Sequence, residues 1–295
     1  MIKDIAIIFI SIFFESLPFL LLGSLISAII ETFVKDETIE KLIPKNPIMG
    51  SIIGIFLGLF LPACDCAVIP VSKRLIKKEV PINVAISFML ASPIINPVVL
   101  LSTYYAFYRT NPEIFWYRFI FGILIALIIG IIMGIIFNKK NVVINDLNKC
   151  EHCDHLHPKG LKYTIKSIFK HTALDMFEVV KYLMIGALIA SIVQVILPRN
   201  ILTYFNNNPI MSILILMLFA YLISLCSTSD SFVGRTLLSS FSKTSILAYL
   251  LLGPMIDVKN TFVLCGNFKK GFVITLISLI FITIFIFGMI GVMIL

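Results

Sequence analysis

Charge is scarce in this sequence. Only 14% of its 295 residues are Asp, Glu, Lys or Arg, against about a quarter in a soluble domain. That shortage excludes a chain that covers its whole surface with solvated side chains. There is one Trp and there are four His. No GxxxxGK[ST] occurs, which excludes a P-loop nucleotide site in this chain. Neither HExxH nor GxSxG occurs, so the usual zinc-hydrolase and serine-hydrolase signatures are missing too. The start lacks the pattern of a cleaved leader. Lys3 and Asp4 precede the first apolar run, Glu15 lies inside it, and no small-residue cleavage site follows. That run reads as a first transmembrane helix.

What is present is apolar. Hydrophobic residues make up 59% of the chain, and the mean hydropathy is +1.03. The composition is that of an all-α, polytopic protein of the cell membrane, with the bilayer as its first partner. The net charge of +8 sits in short clusters between apolar runs. It reads as topology charge and not as a nucleic-acid surface.

Spans long enough to cross hydrocarbon fall near residues 5–30, 84–107, 115–137, 174–196, 246–264 and 272–295. Two shorter runs, near 48–61 and 210–225, each end in a polar break. Weakly amphipathic segments follow, near 68–78 and 231–242. An internal repeat accounts for this layout. "ESLPFLLLGSLISAII" from Glu15 matches "EVVKYLMIGALIASIV" from Glu178, and "NPIM" occurs at Asn46 and at Asn208. Cys64 then falls on Cys226 and Lys73 on Arg235. With one residue deleted, "ASPIINP" from Ala91 falls on "LGPMIDV" from Leu252. The chain divides into a first transmembrane repeat (1–140), a cytoplasmic Cys/His-rich loop (141–170) and a second repeat (171–295).

Two topologies follow from that division. If the short runs cross, each repeat has five passes and the halves are inverted. Lys35, Lys41, Lys45, Lys73, Arg74, Lys77, Lys78, the long loop and Lys269–Lys270 then all face the cytoplasm. If the short runs re-enter, the count is four and Lys269–Lys270 face outward. The positive-inside rule favours the inverted arrangement.

A break such as "LPACDCAVIP" is tolerated in hydrocarbon only where it lines a protein or water-filled cavity. Inverted repeats with helices broken near mid-membrane are a plan of secondary transporters, with substrate at the broken ends. The candidate pathway residues are Cys64, Asp65, Cys66, Asn96, Cys226, Ser227, Thr228, Ser229, Asp230 and Asp257. The Ser227–Ser229 run can cap a half-helix. On an extended or irregular backbone, Cys64 and Cys66 face the same way and can grip one soft ion, with Cys226 as a third thiolate. Glu15 and Glu178 are carboxylates inside apolar spans and so candidates for ion coupling. In "CEHCDHLH", the residues Cys150, His152, Cys153, His155 and His157 suit capture of Zn(II) or Cu(I).

"PACDCAVIPVSKRL", "SFMLASPIINPVVLL" and, far downstream, "CSTSDSFV" and "LAYLLLGPMIDVKN" together resemble the predicted permeases of the YraQ/ArsP type. The resemblance covers nearly the whole chain. It implies a multi-pass permease of the cytoplasmic membrane, from a group linked to efflux of organoarsenicals or of copper and zinc. Typical members carry Cys-Ser-Cys where this chain has Cys64-Asp65-Cys66, and the added carboxylate argues against an anionic substrate. The expectation is therefore a permease exporting a soft metal ion or metalloid, needing no cofactor beyond Zn or Cu bound at the loop. An ion gradient, a partner subunit or a homo-oligomer completes it. The alternative is a membrane thiol–disulfide oxidoreductase using Cys64/Cys66 and Cys150/Cys153.

Overall fold

A computed structural model describes residues 2–33, 46–60, 65–137, 142–144, 161–196 and 208–294. These residues are helical, with one isolated antiparallel bridge between Val143 and Phe268. The first half holds α1 (Ile2–Phe33), α2 (Pro47–Phe60), α3 (Asp65–Lys77), α4 (Ile82–Ile95), α5 (Pro97–Phe107) and α6 (Glu113–Phe137). The second holds α7 (Leu161–Ile196), α8 (Pro209–Ile223), α9 (Ser227–Leu237), α10 (Lys243–Met255), α11 (Val258–Asn267) and α12 (Lys270–Ile294). Among the described residues six spans are long and apolar enough to cross a membrane: α1, α4 with α5, α6, most of α7, α10 with α11, and α12.

Side-chain contacts fix the direction of each helix. Asn83 Nδ2 donates to the Pro47 carbonyl at 2.8 Å, and a Cβ added at Gly58 would fall 2.9 Å from the Ser92 nitrogen. Early residues of α2 thus meet early residues of α4, and the two helices run parallel. At α3 the chain runs back, because Val68 and Ile69 share a cavity with Met89 and Pro93 while Ser72 Oγ donates to the Ala85 carbonyl at 3.4 Å. The short run therefore re-enters: α2 goes in and α3 returns. At 14 residues, α2 is about 21 Å long at 1.5 Å per residue, too short to cross the core. Helix α6 runs antiparallel along both α4 and α5, with Ser87 Oγ on the Ala126 carbonyl at 3.2 Å and Arg118 on Thr103 at 2.6 Å. So α4 and α5 form one broken span.

The second half follows the same order in the opposite sense. Ser245 Oγ donates to Ser212 at 3.0 Å, and the Phe219 and Tyr249 rings lie 6.1 Å apart. These contacts set α8 parallel to α10. Tyr249 reaches back to Asp230 at 3.0 Å, and Gly234 packs on Leu250 and Ile246, so α9 returns. Contacts between the halves then settle their relation. Phe121 meets Phe287 and Phe137 meets Phe272, at 5.1 and 5.2 Å, which makes α6 and α12 antiparallel. Thr103–Ser231 and Ala106–Arg235 pair α5 with α9 in parallel. Asp65–Asn260, with Val68 and Ile69 beside Leu264, pairs α3 with α11 in the same way.

This geometry corrects the pass count. A hairpin returns to the side it entered, so each half crosses three times and not four or five. Three is still odd, and the halves remain oppositely directed. Lys77 and Lys78 after α3 lie at the same end as Lys269 and Lys270, where the Lys269 amide donates to the Val142 carbonyl beyond α6. At the other end Lys243 pairs with Glu113 at 2.6 Å. Re-entry therefore does not send Lys269–Lys270 outward. The positive-inside rule predicts that the lysine-rich end faces the cytoplasm. Single cysteines placed at Lys78 and Lys269 in a cysteine-free background should react with a membrane-impermeant maleimide only from the cytoplasmic side. Those at Arg109 and Lys243 should react only from outside, and opposite sidedness for Lys78 and Lys269 would break this topology.

Candidate functional site

The returning hairpins and the two broken spans place four half-helix beginnings inside the bundle. Each is closed differently. Asn96 caps α5 by accepting from the Val98 amide at 3.0 Å, with Pro97 at the first helical position. Asp257 caps α11 by accepting from the Asn260 amide at 2.7 Å. Cys226 is the extended residue ahead of α9, so Ser227, Thr228 and Ser229 form its first turn and do not cap it. Asp65 opens α3, where a carboxylate suits the positive end of the helix dipole.

At the crossing of α3 and α11 the buried charges converge. Lys259 Nζ lies 3.1 Å from Asp65 Oδ2 and 2.9 Å from Asp257 Oδ2. It also donates to the Ser224 carbonyl at 3.4 Å. Asn260 Nδ2 donates to Asp65 Oδ2 at 2.9 Å, while its Oδ1 has no hydrogen-bond partner. Asp65 is 4% exposed, Lys259 3% and Asp257 0%. Burial of three charges this close to mid-span is tolerable because they pair with one another. Ser224 reaches its place through a left-handed backbone, φ 52°, which turns the chain out of α8.

Beside this cluster lies a small cavity lined by Glu15, Ser16, Asp65, Cys66, Ser224, Cys226 and Lys259 among others. Its free volume is about 10 Å³, room for one water. Cys66 and Cys226, 160 residues apart in sequence, thus share one wall-to-wall space. Both are free of disulfides. Cys66 is buried, and Cys226 Sγ lies 3.4 Å from Thr228 Oγ1. Glu15 is exposed at the rim. Glycine makes the enclosure possible: a Cβ at Gly186 of α7 would fall 2.6 Å from the Lys259 Cα.

A second polar cluster occupies the crossing of α5 and α9. Arg118, fully buried, donates through Nη1 to Thr103 at 2.6 Å and to Ser231 at 2.8 Å. Its Nε and Nη2 have no partner. Asp230 accepts from Tyr249 Oη at 3.0 Å through Oδ1, and its Oδ2 is unpartnered.

The structure brings some of the candidate residues together and keeps others apart. Asp65, Cys66, Cys226 and Asp257 come together. Asp230 does not join them; it stands with Tyr249 on the other crossing. Asn96 is a cap, with its acceptor oxygen committed to Val98. Cys66 is already helical, so the extended or irregular backbone assumed for the Cys64/Cys66 pair does not reach it. Cys64 lies outside the described residues, as do Cys150, His152, Cys153, His155 and His157; Glu178 is on α7, but its side chain is outside them too. Among the described residues no three Cys, His or acidic side chains gather as a metal-holding group. Lys259, Arg118 and Asn260 were missed. A cation inside an apolar span was the available signal, but neither basic residue was given a role from the sequence.

A family model described as "Predicted permease" (ArsP_1) matches residues 1–292. The chain is 36% identical over 271 residues to a "Putative two-component membrane permease complex subunit" of Streptococcus mutans, covering 92% of this chain and 89% of that one. It is 38% identical over 275 residues to the UPF0718 protein YcgR of Bacillus subtilis, covering 92% of each. No solved structure matches.

Substitutions at the two acidic residues should separate their roles. Asp257→Ala removes a partner of Lys259 and the cap of α11 together. Asp65 still holds the ammonium, so the expected loss is about 1 kcal/mol for the cap plus part of the about 3–5 kcal/mol that breaking a buried pair outright costs. Asp65→Asn leaves Lys259 paired with Asp257 and the α11 cap intact, and should cost less. Thermal unfolding of the purified variants in detergent checks the order, and equal stabilities would contradict it.

Proposed function

Because the chain belongs to this predicted-permease family and is a multi-pass membrane permease, we propose that it is a secondary transporter exporting a soft metal ion or metalloid. The observation that carries the reading is the shared cavity of Cys66 and Cys226 beside Asp65. Thiolates select soft ions such as Cu(I), Zn(II) or trivalent arsenic. A carboxylate next to them favours a cationic or neutral cargo over an anion. The sum of Asp65, Asp257 and Lys259 is one negative charge, which leaves room for a cation. Cys64, one residue ahead of Asp65, is the proposed further thiol ligand.

Transport through this site requires motion, since the cavity holds no more than a water. The proposal includes an inverted internal repeat, with residues 1–140 and 171–295 as its halves. The opposite helix directions support it, as does the equivalence of the two crossings, α3 with α11 and α5 with α9. Inverted repeats let one half adopt the other's arrangement while the site stays near mid-membrane. Glu15 and Glu178 are the proposed coupling carboxylates, with Glu15 at the cavity rim in support. Cys150, His152, Cys153, His155 and His157 are proposed to collect Zn or Cu from the cytoplasm. The Streptococcus mutans relative is named as a subunit of a two-component complex, and a partner subunit is proposed here on that likeness. Family membership favours transport over the thiol–disulfide oxidoreductase alternative.

The test compares growth and cell metal content across a panel of Cu, Zn, Cd and arsenite, with and without the gene. Loss of the gene should raise the content of one soft element severalfold. Cys66→Ser or Cys226→Ser should reproduce that loss with the protein still folded, because Ser keeps the size and removes the softness. Full export by the Cys64→Ser/Cys66→Ser/Cys226→Ser variant would remove the thiols from the mechanism. Replacing the five loop ligands should weaken export at low cargo and spare the maximal rate.

A further inference from the structure

Two kinds of donor stand side by side at the centre of this bundle, and they suit different ions. The cavity wall offers sulfur from Cys66 and Cys226. The neighbouring cluster offers only oxygen. Asp65 Oδ2, Asp257 Oδ2 and the Ser224 carbonyl all converge on one point, the Lys259 Nζ, at 3.1, 2.9 and 3.4 Å. Asn260 Oδ1, on a side chain 2% exposed, is a further oxygen with no hydrogen-bond donor. The Ser224 hydroxyl is also buried and without a partner. The two carboxylates and the backbone carbonyl around Nζ, with the unpartnered amide oxygen and hydroxyl on neighbouring residues, are the donor types that hard cations take. They are a poor match for soft ones.

We propose that Asp65, Asp257, Asn260 and Ser224 form an oxygen-lined site for a hard cation, which Lys259 fills with its own ammonium in the state described. The site deepens the permease reading, on which it rests, by supplying a coupling-ion position that borders the thiols through Asp65 and the shared cavity. Lys259 is suited to the exchange by its place in the fold. Its backbone is pinned in the first turn of α11 by close contact with Gly186, while the ammonium rides on a flexible four-carbon stem. The Ser224 carbonyl gives the ammonium a partner as it leaves the carboxylates, and the cavity lies directly beside its path. With the lysine in, the two carboxylates are neutralised in part and the empty carrier avoids exposing bare charge. With a cation in, the lysine must move toward the cavity and the cysteines. The ion and the cargo thereby act on the same side chain, which is the differential contact that coupling needs.

The probe is Mn²⁺, a hard ion whose free concentration is read by electron paramagnetic resonance. Wild-type full-length protein in detergent should bind it weakly, because Lys259 competes. Lys259→Gln should tighten binding by at least about tenfold by removing the competitor, and Lys259→Gln/Asp257→Asn should lose the gain. Lys259→Arg should stay at the wild-type level. If Lys259→Gln binds no tighter than wild type, or the gain survives Asp257→Asn, the site is wrong. Should Lys259→Gln fail to fold, wild type still decides. Acylation of Lys259 by acetic anhydride, read by mass spectrometry, should rise severalfold at saturating Mn²⁺, and an unchanged yield overturns the proposal. Cys66→Ser/Cys226→Ser should keep the Mn²⁺ behaviour and lose soft-cargo binding. Failure of the thiol reading and failure of the oxygen site are therefore told apart.

Discussion

Every feature of this bundle answers to one constraint: inside hydrocarbon, a backbone break must find its hydrogen bonds within the protein. Two hairpin turns and two broken spans expose helix ends in the interior. The chain meets the demand with local caps, Asn96 on Val98 and Asp257 on Asn260, and with a left-handed turn at Ser224. It then packs the half-helices in parallel pairs, α3 on α11 and α5 on α9, so that polar ends face one another and not lipid. The charges come second. Asp65 and Asp257 stand where helix beginnings favour a carboxylate, and Lys259 then joins them as the required counter-charge.

The two crossings are alike in architecture and different in chemistry. One holds the Asp65–Lys259–Asp257 cluster, two thiols and a cavity. The other holds Arg118 on Thr103 and Ser231, with Asp230 on Tyr249. Coverage differs as well. Helices α1 and α7 lie over the first crossing, with Gly23 against Ala67 and Gly186 against Lys259, while Phe232 and Arg235 of α9 are exposed. A carrier built of two oppositely directed halves would present such an imbalance in either end state.

Much of this was legible from residues alone. Apolar run lengths set the six spans, and the short runs before "PACDC" and "CSTSD" marked two breaks, although crossing was favoured there over the re-entry that the fold shows. The Asn96–Pro97 and Pro254–Asp257 patterns marked the broken spans, since Asx caps and prolines end helices for local reasons. What sequence spacing left open was direction. Whether a 14-residue helix continues or turns back depends on its partner, and here parallel packing of α2 on α4 decided it. Lys259 and Arg118 were visible as residues but not as site members. Their roles depend in part on groups the fold brings from more than a hundred positions away, Asp65 to Lys259 and Ser231 to Arg118. Asp230 misled for the same reason: it is four residues after Cys226, yet one helical turn points it to Tyr249.

The most direct test of the central claim, that a soft cargo is held by the thiols of this cavity, is X-ray absorption spectroscopy of the cargo ion bound to the purified permease. The account predicts at least two sulfur neighbours at about 2.3 Å for a zinc-sized ion. Those neighbours should persist when the cytoplasmic loop ligands are replaced and disappear when Cys64, Cys66 and Cys226 are replaced by Ser. A bound ion surrounded only by oxygen and nitrogen, or sulfur ligation that vanishes with the loop alone, would contradict it.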